Sequence, residues 1–78
     1  MALTGFDARL ARVLLRLADG AGLVAATHHA LAAETASGRA YVSRRLADFA
    51  ARGLVTQGKE GIAITNRDAL QRIADEDR

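Results

Sequence analysis

The side chains of this 78-residue sequence that can do chemistry are cations and hydrogen-bond donors. Between residues 39 and 59 stand five Lys or Arg (Arg39, Arg44, Arg45, Arg52 and Lys59) against one acid, Asp48. Asp75, Glu76 and Asp77 gather instead at the end. Arg carries a planar fork of donors that fits a phosphate or the O6 and N7 edge of a guanine. No nucleophile–base constellation, phosphate-cradling Gly loop or metal cluster accompanies these cations, so neither catalysis nor a cofactor nor a metal is expected. The adjacent pair His28 and His29 would diverge by about 100° on a helix, which does not suit a shared metal ion. Cysteine is absent, which excludes disulfides and thiolate chemistry and fits a cytoplasmic protein.

The elements that must position these groups run from Thr27 to Val55. Thr27 is suited to cap a helix, because its hydroxyl accepts from the free N–H groups of the first turn. Leu31 and Ala32 supply the apolar side of that short helix. Thr35-Ala36-Ser37-Gly38 then breaks the pattern as a turn does. From Arg39 the helical period resumes, with Val42, Leu46, Phe49 and Gly53 on one side. Ala40, Ser43, Arg44 and Ala47 lie on the side turned away. Two helices joined by a tight turn, the second apolar inside and Arg-bearing outside, make a helix-turn-helix over 27–53.

Leu3 to Asp19 reads as a first helix, capped by Thr4, with Asp7 placed for the helix dipole. Phe6, Leu10, Val13, Leu14 and Leu17 form its apolar stripe, with Arg9, Arg12 and Arg16 beside it. Ala8, Ala11, Leu15 and Ala18 form a smaller strip opposite. They are expected either as singly exposed side chains or as a surface for another domain or a second subunit. Gly20 and Gly22 end the helix. Leu23 to Ala26 is a small strand or an extended connector. Leu54 to Gln57 and Ile62 to Thr65 flank a Gly-bounded four-residue turn, Gly58 to Gly61, and so make a hairpin, the wing over 54–65. Asn66 or Thr65 can cap a last helix carrying Leu70 and Ile73. The fold class is α+β, mostly helical: a winged helix-turn-helix filling 1–78 as one domain.

Composition agrees without adding much. A chain this short buries only about 60% of its unfolded surface, so modest stability is expected. With 4% aromatic residues, the core must be mostly aliphatic. A formal net charge of +2 says little about partners, and its placement says more. No apolar run reaches membrane-spanning length, and no leader with a cleavage site is visible, so no membrane partner is expected.

Thr27, Leu31-Ala32, Arg39, Val42-Ser43-Arg44, Leu46, Phe49 and Gly53-Leu54-Val55 resemble, at matching spacings and without a gap, the helix-turn-helix of the Crp/Fnr family of bacterial transcription regulators. The ending, with Ile62, Ile64, Asn66, Leu70, Ile73 and Ala74, resembles that family too, which typically has Asp where Asn66 stands. The resemblance implies sequence-specific binding of double-stranded DNA for transcription regulation, with a recognition helix at about 38–52 in the major groove. It implies base contacts from Arg39, Ala40, Ser43 and Arg44. Ala40 replaces the family's usual acidic residue and cannot accept from cytosine N4, so the family's typical target is not carried over. Ala36 and Gly38 depart from the usual Gly and the usual Ser or Thr cap, and Ser37 partly compensates.

Backbone contacts are expected from Thr27, His28 and His29 at a helix N-terminus, which attracts phosphate. Ser37, Tyr41, Arg45 and the wing-tip Lys59 are expected to join them. The partners implied are DNA, a second copy of the chain in two-fold binding, and RNA polymerase. In that family a cyclic-nucleotide-binding-like sensor domain and a long dimerisation helix precede the winged helix, and neither is found in these residues. The dimer would form on DNA, or through the first helix and its second strip. The alternative is a winged helix kept as a protein-interaction or dimerisation module without specific DNA readout, supported by Ala40 and the low net charge.

Overall fold

A computed structural model describes residues 5–76. The elements are α1 (Gly5–Leu17), β1 (Leu23–Val24), α2 (His28–Thr35), α3 (Arg39–Ala51), β2 (Val55–Gly58), β3 (Gly61–Ile64) and α4 (Arg67–Asp75). The expected winged helix-turn-helix is what the chain forms. Leu3 and the Thr4 cap fall outside the described residues.

The expected apolar stripes converge on one core. Leu10 and Leu14 of α1, Leu31 of α2, Val42, Leu46 and Phe49 of α3 and Leu70 of α4 are all fully buried. Burial of each such side chain contributes about 1.5–3 kcal/mol before entropy opposes it. The second strip of α1 is not a free surface. Ala8 and Ala11 are fully buried inside the chain, and Leu15 and Ala18 pack against the same core. The reason is that α1 lies against α2 and α4 together, so two of its sides are covered. Periodicity alone does not distinguish a buried alanine at positions 8 and 11 from a solvent-exposed one.

α1 ends at Leu17, two residues before the expected stop. The carboxylate of Asp19 takes the N–H groups of Ala21 and Leu23, each at 2.9 Å, and this local competition closes the turn into β1. α2 opens on Thr27, whose hydroxyl accepts from the Ala30 N–H at 3.0 Å as expected. It closes on Ala36 in the left-handed region (φ 55°), while the Ser37 N–H reaches the Ala32 carbonyl at 2.9 Å. α3 begins at Gly38, which supplies no side-chain cap, and ends where Gly53 (φ 78°) lets the Leu54 N–H return to the Phe49 carbonyl.

The sheet has three strands in the order β1-β3-β2, all antiparallel. The Leu23–Ala26 run thus divides: Leu23 and Val24 pair with Ala63 and Ile62, and Ala25-Ala26 connects to α2. The hairpin is tighter than the four-residue turn expected. Gly58 pairs with Gly61, which leaves only Lys59 and Glu60 as the loop. Gly61 has φ 133°, and a Cβ there would run into the Val24 carbonyl, so this residue lets β1 approach the hairpin. Of the two candidate caps for α4, Asn66 serves, accepting from the Ala69 N–H at 3.1 Å. Thr65 instead donates to the Gly53 carbonyl at 2.8 Å, tying the end of α3 to the end of the wing. Arg12 of α1 donates to the Ala74 carbonyl at 2.7 Å, at the negative end of α4.

Candidate nucleic-acid interface

α3 is anchored along one side by Val42, Leu46 and Phe49, which leaves the other side to solvent. Arg39, Ala40 and Arg44 are exposed there, and Ser43 is half-buried. Among the described residues neither Arg39 nor Arg44 is held in an ion pair. Their donors therefore remain available to an outside acceptor. An α-helix with its side chains is about 10–12 Å across, close to the ~12 Å width of the major groove.

Ser43 is not isolated. Its Oγ lies 2.7 Å from Nδ1 of His28, and the same ring's Nε2 lies 2.7 Å from Oε1 of Gln57. His28 thus links the start of α2, the middle of α3 and the wing strand β2 through one imidazole. The sequence suggests a phosphate contact for His28, but both its ring nitrogens are engaged inside the protein. Gln57 is a residue that the sequence reading does not single out. The strand period of two puts it on the same face as buried Val55, and that alternation is the available signal.

Tyr41 is the one large hydrophobic side chain of the described residues that is exposed, at 41%. Its ring meets Phe6 of α1 edge-on, with centroids 4.7 Å apart, and the Arg44 guanidinium sits 5.8 Å from its centroid. Phe6, expected in the apolar stripe alone, also seats the tyrosine. Contacts of this kind restrict an Arg whose long side chain would otherwise lose more entropy on binding.

Arg45, expected as a phosphate contact, is engaged inside the protein. It makes two hydrogen bonds to the Asp7 carboxylate, both 2.9 Å, and one to Asp48 at 3.0 Å. The bond to Asp7, against a smaller cost of burial, raises the guanidinium pKa above its ordinary value. Arg52 joins the same cluster through Asp48 at 3.3 Å. Asp7, read from sequence as a dipole partner, is a tertiary anchor.

The remaining expected contacts surround the recognition helix. Thr27 is exposed although its oxygen accepts in the cap, and the exposed His29 follows it by two residues. Ser37 is half-buried in the turn. Lys59 stands at the tip of the wing. Between them runs an open cleft of about 360 Å³ lined by Thr27, His28, Gln57, Lys59 and Glu60, among others. No helix among the described residues is long and apolar enough to cross a membrane.

The comparisons with known proteins agree with this geometry. The Crp-like helix-turn-helix domain model matches residues 8–73. A CRP-family transcriptional regulator from Thermus thermophilus is 35% identical with a TM-score of 0.81, over 88% of this chain and 40% of that one. The catabolite activator protein of Thermus thermophilus is 31% identical with a TM-score of 0.77, over 96% of this chain and 35% of that one. A second regulator from that organism, of the CRP/FNR family, is 25% identical with a TM-score of 0.82, over 92% of this chain and 41% of that one. The chain spans roughly two fifths or less of the length of these structures. A search of the curated proteins found no match. A winged helix with an exposed Arg-bearing second helix, matched by the family model over nearly all its described residues, belongs to the Crp-like helix-turn-helix domain family of DNA-binding transcription regulators.

Proposed function

We propose that this chain reads double-stranded DNA with α3 in the major groove. Residues 1–78 then act as one DNA-binding unit, with the helix-turn-helix at 27–53 and the wing at 54–65. The observation that carries the reading is the pairing of two faces on α3. Val42, Leu46 and Phe49 fix the helix to the core, and exposed Arg39 and Arg44 stand on the opposite side without ion-pair partners among the described residues. Arg39, in the first turn, and Arg44 take guanine edges, where two donors match O6 and N7. Ser43 offers a single hydroxyl and Ala40 a methyl group that suits the C5-methyl of thymine. Thr27, His29, Ser37, Tyr41 and Lys59 meet the sugar-phosphate backbone and set the register without reading sequence.

Two copies bind together on a two-fold symmetric site, since one small module buries limited DNA surface. The internal burial of Ala8 and Ala11 speaks against that part of the second α1 strip as their interface and favours pairing on the DNA itself. RNA polymerase is a further partner of the whole regulator, and the setting is the cytoplasm.

The test is selection from a randomised duplex library at two salt concentrations. An enriched two-fold symmetric motif, with affinity falling steeply as salt rises, is the expected result. In the same assay Arg39→Ala is expected to cost about 1–3 kcal/mol and to relax one base pair per half-site. Binding without any enriched motif would sink the reading.

A further inference from the structure

We infer that His28 is a positioning residue that sets which base Ser43 reads, by fixing the direction of the Ser43 hydroxyl. The inference rests on the placement of α3 in the major groove argued above. Gln57 presents its amide oxygen to Nε2 of His28 at 2.7 Å, and an oxygen there can only accept. In the neutral imidazole the single proton is then on Nε2, and Nδ1 is left as an acceptor. Ser43, 2.7 Å from Nδ1, must donate its one hydrogen to the ring. What Ser43 shows to the groove is then lone pairs alone. A Ser hydroxyl would otherwise rotate to suit either donor or acceptor, so it would discriminate little. Held as an acceptor, it selects the major-groove amines, adenine N6 or cytosine N4, on the strand it touches.

The experiment repeats the duplex selection with the wild-type chain, His28→Asn, Gln57→Leu, Ser43→Ala and Arg39→Ala. The wild-type chain is expected to favour adenine or cytosine at one position of each half-site by about threefold to tenfold, the worth of one hydrogen bond. Ser43→Ala removes that preference, Gln57→Leu weakens it by freeing the tautomer, and His28→Asn weakens it by removing the ring that holds the hydroxyl. The base pair read by Arg39 stays selected in the His28, Gln57 and Ser43 variants, which shows that they are folded and docked. A wild-type preference at the Ser43 position that is unchanged by His28→Asn and Gln57→Leu overturns the inference while the Arg39 result leaves the groove assignment standing. If neither Arg39→Ala nor Ser43→Ala alters any base preference, the groove assignment itself fails.

Discussion

Arg45 of α3 and Asp7 of α1 meet at two points, Nε to Oδ1 and Nη2 to Oδ2, each at 2.9 Å, with the side chains 27% and 23% exposed. This pair clamps the recognition helix to the first helix on the side away from Ser43. Paired, half-buried geometry of this kind is worth more than an ordinary surface contact. A double-mutant cycle of Asp7→Ala and Arg45→Ala in urea unfolding is expected to give a coupling of about 1 kcal/mol. Because the guanidinium is committed to the protein, Arg45→Ala leaves the salt dependence of DNA binding unchanged. Lys59→Ala reduces the slope by about one unit, as loss of one phosphate contact does. A slope reduced by Arg45→Ala would show that the pair opens on DNA.

The turn between α2 and α3 carries a local cost. Ala36 holds φ 55° and ψ 47°, a region that disfavours a residue with a Cβ by about 1–2 kcal/mol. Glycine occupies it freely but loses more freedom on folding, which offsets part of the gain. Ala36→Gly is expected to stabilise the chain by about 0.5–1 kcal/mol in urea unfolding. A destabilised variant would show that the alanine methyl group makes a packing contribution larger than its strain.

Gly61 carries the opposite prediction. Its φ of 133° and the nearness of the Val24 carbonyl leave no room for a methyl group, and the obstacle is backbone rather than a mobile side chain. Gly61→Ala is expected to cost about 2–4 kcal/mol by separating β1 from β3 or twisting the wing. Thermal unfolding followed by circular dichroism measures it, and an unchanged Tm would refute the close approach.

Acid has a defined point of attack. Asp19 has its pKa lowered below the ordinary 3.8, chiefly by the N–H of Leu23 and then by that of Ala21. A carboxyl group whose folded pKa is depressed contributes stability above its unfolded value, and that contribution is lost as pH falls through the folded one. The turn into β1 therefore loosens as pH drops below 3.8. Asp19→Ala is expected to make the acid limb of stability against pH shallower, and an identical limb in the variant would dismiss this turn as the site.

Much of the architecture was legible in the residues taken in order. Thr27 as a cap, the four-three spacing of Val42, Leu46 and Phe49, Gly53 as a stop and Asn66 as the last cap are local facts. Each depends on backbone groups within about one helical turn, so the sequence alone determined the helices, the hairpin and the outward face that bears Arg39 and Arg44. The tertiary structure decided what those outward groups are bound to. Position on a helix wheel cannot show that Arg45 turns to Asp7, 38 residues away, or that His28 reaches both Ser43 and Gln57, 15 and 29 residues away. Nor could it show that Ala8 and Ala11, small enough to read as surface, lie where α1 is covered on two sides. A side chain's partner depends on how elements pack in space, and hydrogen bonds and ion pairs act over a few ångströms of space rather than of sequence.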